Sequence, residues 1–259
     1  MPRLWILSDL HFETVPHPDQ FAPERPDFDV LVAAGDIWGG GEIEAAIGKV
    51  AELADGKPAV MVLGNHEHWN GEVEDTLGRA RAIAKRSWVT LLEGDAATIA
   101  GVRFVGATLW SDYQLAGNKA RPVNETGERV WVVPDGWDGA AGERRLLTVG
   151  DAIDLHDAAR TKLTELIDAH TGPEPLVAVT HHAPHPVCLA RPMVGTWAAG
   201  NCASDLGDLV EDGRVALWVH GHIHESMDGT LPGGTRLVRN PAGPMWSNVE
   251  FDEALVIEV

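Results

Sequence analysis

Cysteine is nearly missing from this sequence. The two thiols, Cys188 and Cys202, stand in 259 residues without CxxC spacing, which excludes a disulfide-stapled scaffold and a thiolate-built structural zinc site. A reducing, cytoplasmic setting suits such a chain. Basic residues are scarce as well: Lys and Arg number 20 against 39 Asp and Glu, for a formal net charge of -19. A field of that sign repels polyanions at long range and disfavours nucleic acid as a partner. No apolar run is long enough to span a bilayer. The opening MPRLWILSDLHFE reaches Asp9 without a long apolar stretch and small-residue cleavage site, so it does not read as a secretion signal. Oligomeric state is not legible.

What is present is enough apolar material, 44% of the residues, for one large domain over 1–259. Short apolar runs bounded by turn residues predict buried strands at Arg3–Leu7, Asp29–Ala34, Ala59–Leu63, Trp88–Leu92, Leu176–Thr180 and Val215–Val219. Helical spacing of Ile43, Ala46, Ile47, Val50 and Leu53 predicts a helix over Glu42–Asp55. Further helices are expected at Glu72–Arg86 and at Asp151–His170, the latter burying Ile153, Leu163, Leu166 and Ile167. AATIAGVRFVGATLW reads as a hairpin turning at Ala100 and Gly101, and the tail adds strands near Thr235–Arg239 and Ala254–Val259. From Ser111 to Gly150 the pattern breaks down into Gly, Pro, Asn and charged residues, with no core element and a possible cap or lid. Strands alternating with helices argue for α/β with parallel pairing; the hairpin and tail add antiparallel strands.

Ligands in such folds gather beyond the carboxyl ends of strands, and five of these predicted strands run into polar residues there. Asp9-Leu10-His11 follows WILS, Gly35-Asp36 follows VLVAA, and Gly64-Asn65-His66 follows VMVL. His181-His182 follows LVAVT, and His220-Gly221-His222-Ile223-His224 follows VALWV. Any one of these, Asp36 for example, is more often a turn former than a ligand. Five together supply carboxylate, amide oxygen and imidazole donors suited to Mn, Fe, Co, Ni or Zn in an open site. Residues two apart on extended backbone point the same way, so Asp9 pairs with His11 and His222 with His224. Gly35, Gly64 and Gly221 let the backbone turn and approach an ion closely.

DLH, GD, GNHE, HHAP and GHIH in this order resemble the calcineurin-like metallophosphoesterase family, over nearly the whole chain. The resemblance implies a four-layer αββα sandwich, two mixed β-sheets flanked by helices, with two divalent metal ions at one edge. It implies that Asp9, His11 and His224 hold one ion, that Asn65, His181 and His222 hold the other, and that Asp36 bridges them. The family pattern favours His181 over His182 as the ligand. It also implies that His66 contacts the phosphoryl group without binding metal, that Asp36, Asn65 and His66 are the catalytic set, and that His220 supports a ligand by hydrogen bonding. One departure is visible: many relatives carry an Arg and an aromatic where this chain has Asn240-Pro241-Ala242-Gly243-Pro244.

The implied reaction is hydrolysis of a phosphate ester by a hydroxide held between the two cations. A small phosphodiester is the favoured substrate, with a phosphomonoester or a phosphoserine/threonine protein as alternatives on the same centre. A non-catalytic scaffold on the same fold is the alternative of another class, and a DNA nuclease would call for a basic tract that is missing. His182, Trp38, Trp69, Trp110, Tyr113 and Trp197 are candidate walls for an organic leaving group, with packing of the motif loops as the competing explanation.

Overall fold

The computed structural model describes residues 1–119, 129–133 and 144–259. The chain runs β1 (Arg3–Leu7), β2 (Val30–Ala34), α1 (Ile43–Ala54), β3 (Ala59–Val62), α2 (Val73–Ala84), β4 (Val89–Leu91), β5 (Asp95–Ile99) and β6 (Val102–Ala107). It continues through β7 (Trp131–Val132), β8 (Arg145–Leu146), α3 (Val149–Asp168), β9 (Leu176–Thr180), α4 (Trp197–Cys202) and α5 (Gly207–Val210), then β10 (Leu217–Val219), β11 (Met227–Thr230), β12 (Arg236–Arg239) and β13 (Val256–Glu258).

Period-two alternation builds the layers, because successive side chains on a strand face opposite ways. Leu4 and Ile6 of β1, Val30 and Val32 of β2, and Val60 and Val62 of β3 pack against Phe104, Val177, Val179, Leu217, Val219 and Val238 of the second sheet. Their neighbours Trp5, Leu7, Leu31, Ala33 and Met61 point the other way, onto Ile43, Ala46, Ile47 and Val50 of α1 and Ala80 of α2. On the far side, Val105, Ala107, Ala178, Trp218 and Leu237 meet Ala159, Leu163 and Ile167 of α3. Three apolar interfaces therefore separate four layers, the αββα sandwich that the resemblance implies. Each fully buried Leu, Ile or Phe contributes about 1.5–3 kcal/mol relative to exposure.

The first sheet has the order β13-β1-β2-β3-β4, parallel from β1 to β4 and closed by antiparallel β13. The second has the order β11-β12-β10-β9-β6-β5, with parallel β6, β9, β10 and β12 between antiparallel β5 and β11. Within the described residues no helix is long and apolar enough to cross a membrane.

Several expectations need correcting. The third helix starts at Val149, two residues early, because Thr148 and Asp151 cap each other: Asp151 N donates to Thr148 Oγ1 at 3.3 Å and Thr148 N to Asp151 Oδ2 at 2.6 Å. Ile153 and Leu166 are only partly buried, against different clusters. The tail strand β12 is parallel to β10, and its antiparallel partner is β11, whose MDGT carries too little apolar pattern to announce a strand. Between Ser111 and Gly150, core material is present. Val130 and Leu147 join Trp110, Tyr113, Val73 and Ala152 in a fourth apolar cluster, and β7 pairs with β8. These contacts are spread across the segment without a period, so no window of sequence displays them. Residues 120–128 and 134–143 of the expected cap or lid lie outside the described residues.

Candidate metal centre

All five motif loops leave the carboxyl ends of β1, β2, β3, β9 and β10, where the two sheets meet at one edge of the sandwich. The backbone is bent hard there. Asp9, His11, Asp36 and His222 all adopt left-handed conformations, with φ of 51°, 47°, 53° and 66°. Such conformations cost of order 1–3 kcal/mol each outside glycine and persist where surrounding structure enforces them. Two glycines make room. A Cβ at Gly64 would fall on Asp36 Oδ1, and one at Gly221 would lie 2.6 Å from Asp9 Oδ2.

The side chains gather into two groups that share Asp36. In the first, His11 Nε2 lies 3.1 Å from His224 Nε2 and 4.0 Å from Asp9 Oδ1, which is 3.5 Å from His224 Nε2. In the second, Asn65 Oδ1 lies 3.1 Å from both His181 Nε2 and His222 Nδ1, which are 3.2 Å apart. Asp36 Oδ2 stands 3.3 Å from His181 Nε2 and 3.8 Å from His11 Nε2, within reach of both groups. The structure thus brings together all seven side chains expected to bind metal. His182 is outside: its Nδ1 faces Thr108 O at 3.2 Å, and its ring stacks on His222 and Trp110.

The donor atoms fit cations. His11 Nδ1 faces Glu13 Oε1 at 2.8 Å and His181 Nδ1 faces Ala34 O at 2.9 Å. Both oxygens accept, so the proton of each neutral ring sits on Nδ1 and each Nε2 presents a bare lone pair. In that neutral form lone pairs of nitrogen and oxygen converge at hydrogen-bond distance, an arrangement that a proton or a metal ion between them satisfies. The ionisation pattern agrees. Burial works against both carboxylates, yet His224 and His181 hold Asp9 below its ordinary range, and His181, His66 and His11 hold Asp36 well below it. Burial opposes charging His181, but Asp36 and Asp9 push it up to about 10. Burial, with His182 and His181 nearby, keeps His222 well below the usual value.

Around this centre the other sequence candidates divide. His66 Nδ1 lies 2.9 Å from Glu13 Oε1, and its Nε2 is 3.9 Å from Asp36 Oδ2. Trp69 stacks on the His66 ring at 3.6 Å between centroids. Trp110 is buried beside His182 and His68, and the Tyr113 hydroxyl donates to Asn201 Oδ1 at 2.7 Å. Trp38 packs on Phe12 in the α1-side core, and Trp197 opens α4, half-buried. His220 is buried, its Nδ1 3.1 Å from Gly221 O and its Nε2 without a hydrogen-bond partner among the described residues.

Two carboxylates escaped the sequence analysis. Glu67 is buried under the Asp36 turn, where it accepts from Gly64 N and Asp36 N on one oxygen and from Ile37 N and Trp38 N on the other. Burial and the nearby Asp36 charge push it up to about 7 against those donors. Glu13 binds His11, His66 and Gly39 N; burial opposes its charge, yet these partners lower it to about 2. Both were readable only as acidic neighbours of DLH and GNH, since the partners that fix them are distant in sequence.

With that geometry in place, comparison with known proteins is informative. Among solved structures, phosphopantetheinyl hydrolase (PptH) from Mycobacterium tuberculosis superimposes with a TM-score of 0.66 at 19% identity, covering 94% of this chain and 90% of that one. TT1561 of Thermus thermophilus gives 0.52 at 11% identity, covering 95% and 90%. These are likenesses of fold. No curated protein sequence matches. The model of the calcineurin-like phosphoesterase family matches residues 2–226, a stretch that contains all five motif loops, and the chain belongs to that family.

Proposed function

We propose that this protein hydrolyses a small phosphodiester at a centre of two divalent ions. In this reading Asp9, His11 and His224 hold one ion, Asn65, His181 and His222 hold the second, and Asp36 lies between them. The observation that carries it is the convergence of seven nitrogen and oxygen donors from five loops, with Asp36 Oδ2 within 3.3 Å of one group and 3.8 Å of the other. When bound, such ions supply neutralisation of phosphoryl charge and a water acidic enough to ionise near neutral pH. Mn, Fe, Co, Ni and Zn all suit the donor set.

The chain's own side chains supply the rest. Asn65 Oδ1 lies 3.1 Å from a ring nitrogen of each of two imidazoles, and in this reading its NH2 faces the phosphoryl oxygens. His66 presents Nε2 to the cluster while its Nδ1–H is held by Glu13, so in the imidazolium form it donates a proton to the departing oxygen. Trp69, stacked on His66, walls the leaving-group side.

Charge favours a diester over a monoester. The buried carboxylates Asp9 and Asp36, with Glu13 behind them, already offset much of the charge of two divalent ions. A singly charged diester therefore suits the centre better than a dianionic monoester. The test is a panel on manganese-loaded protein comparing bis(p-nitrophenyl) phosphate, p-nitrophenyl phosphate, cyclic nucleotides and a phosphopeptide. The diester should give the highest kcat/KM. Faster turnover of the monoester would reverse the substrate assignment, and no turnover of any ester would favour the scaffold.

A further inference from the structure

The DLHFE segment carries more than its two expected ligands. Glu13 lies on the short turn Phe12–Thr14, and one of its oxygens, Oε1, meets both His11 Nδ1 at 2.8 Å and His66 Nδ1 at 2.9 Å. Its other oxygen accepts from Gly39 N at 2.8 Å. The two histidine rings stand edge to face, 4.5 Å between centroids, so a single carboxylate oxygen lies between the rings of a proposed ligand and the proposed proton donor. We propose that Glu13 is a positioning residue for the reaction: it fixes His66 with Nδ1 protonated and Nε2 turned to the leaving group, and it braces His11 by the same oxygen. The inference rests on the functional reading above.

The surrounding chain is shaped for this fork. Gly39 has an ordinary backbone conformation, so glycine is not demanded there by φ. Its missing side chain matters because a Cβ would lie 2.8 Å from His66 Cβ and 3.1 Å from Glu13 Cδ. The next residue, Gly40, donates its N–H to His66 O at 3.0 Å. The loop after β2 therefore clamps His66 from its backbone and Glu13 from its free oxygen. An imidazole whose Nδ1–H is held by a carboxylate keeps one tautomer and one ring orientation, and partners of ligand histidines typically tune metal affinity 10–100-fold. Gln cannot replace Glu here: if its oxygen accepts from the histidines, its NH2 meets the Gly39 N–H, donor against donor.

Two readouts test the role. In metal-free protein with 15N-labelled histidine, wild-type His66 should show a protonated Nδ1, and Glu13→Gln should lose that preference. In manganese-saturated protein, E13Q should lower kcat about 10–100-fold on a diester with an alkyl leaving group, which needs a proton. On bis(p-nitrophenyl) phosphate, whose leaving group does not, it should lower kcat less than about 3-fold. Gly39→Ala, which crowds the fork without touching a donor atom, should reproduce the same split. In a His66→Ala background E13Q should add no further loss on the alkyl diester.

A wild-type His66 protonated on Nε2 alone would overturn the proposal, as would equal losses on both esters. So would a third manganese per chain that E13Q removes, because His11, Glu13 and His66 would then be a ligand set. If wild-type protein hydrolysed no ester, the functional reading would fail on its own, and the nitrogen spectra would still decide how Glu13 holds His66.

Discussion

The two halves of the donor cluster are built differently. In the Asp36, Asn65, His181 and His222 half only His222 is half-buried and the rest is enclosed: the His181 side chain is fully buried and backed by Ala34 O, and the Asp36 backbone N–H is one of the four amides gathered by Glu67. The Asp9, His11 and His224 half is more open, with 34% of the His224 side chain exposed, and its support comes from outside through Glu13. A buried, pre-formed set loses little by waiting for its ion, whereas a set with a partly exposed ligand must order that ligand on binding. The enclosed half should therefore retain its ion, and the open half should exchange with solvent and meet substrate.

Asp36→Ala should have the largest effect, because it strips a carboxylate oxygen that lies 3.3 Å from a nitrogen of one half and 3.8 Å from a nitrogen of the other. We expect activity to fall by more than about 10³-fold, with metal analysis finding one ion or none per chain; two retained ions would break the comparison. His66→Ala should keep both ions and lose about 10²–10³-fold in kcat on alkyl esters, so metal loss in that variant would move His66 into the ligand set. Removing one imidazole from each half sharpens the contrast. His224→Ala should lose a single ion to mild chelation and recover part of its activity at high manganese. His181→Ala should lose the tightly held ion and recover less, with retention measured after dialysis against a graded chelator.

The smallest expected effect is on stability. Without metal, the folded His181 pKa of about 10 exceeds the usual value of 6.5. More protons are bound in the folded state between those values, so this stabilisation is complete below pH 6.5 and is lost as pH rises through about 10. Metal-free protein should therefore lose about 2–6 °C in Tm between pH 7 and pH 10, and loaded protein should not, since an ion then takes the place of the proton. The sign also makes metal binding release a proton and strengthen with pH in that window. Calorimetry in buffers of different ionisation enthalpy reads this directly; proton uptake on binding would contradict it.

The site was more legible in sequence than the rim around it. Every expected donor lies within a few residues of the end of a short apolar run, so strand prediction and the strand-end rule together locate Asp9, Asp36, Asn65, His181 and His222. What escaped was whatever depends on a distant partner. Glu67 gathers amides from the loop after β2, some thirty residues away, and Glu13 finds its role only when His66 arrives 53 residues later. The apolar cluster of Trp110, Tyr113, Val130 and Leu147 is likewise made by contacts that no period in the sequence announces. The choice between His181 and His182 could be drawn from resemblance alone. The fold separates the two: His181 Nδ1 faces Ala34 O with its Nε2 among the other donors, and His182 Nδ1 faces Thr108 O, a difference in favour of His181 that metal soaking tests.

Anomalous diffraction from manganese-soaked crystals tests the central claim most directly. Two peaks per chain are expected, one among Asp9, His11 and His224, the other among Asn65, His181 and His222, with Asp36 touching both. A single peak, or peaks away from Asp36, would contradict the account.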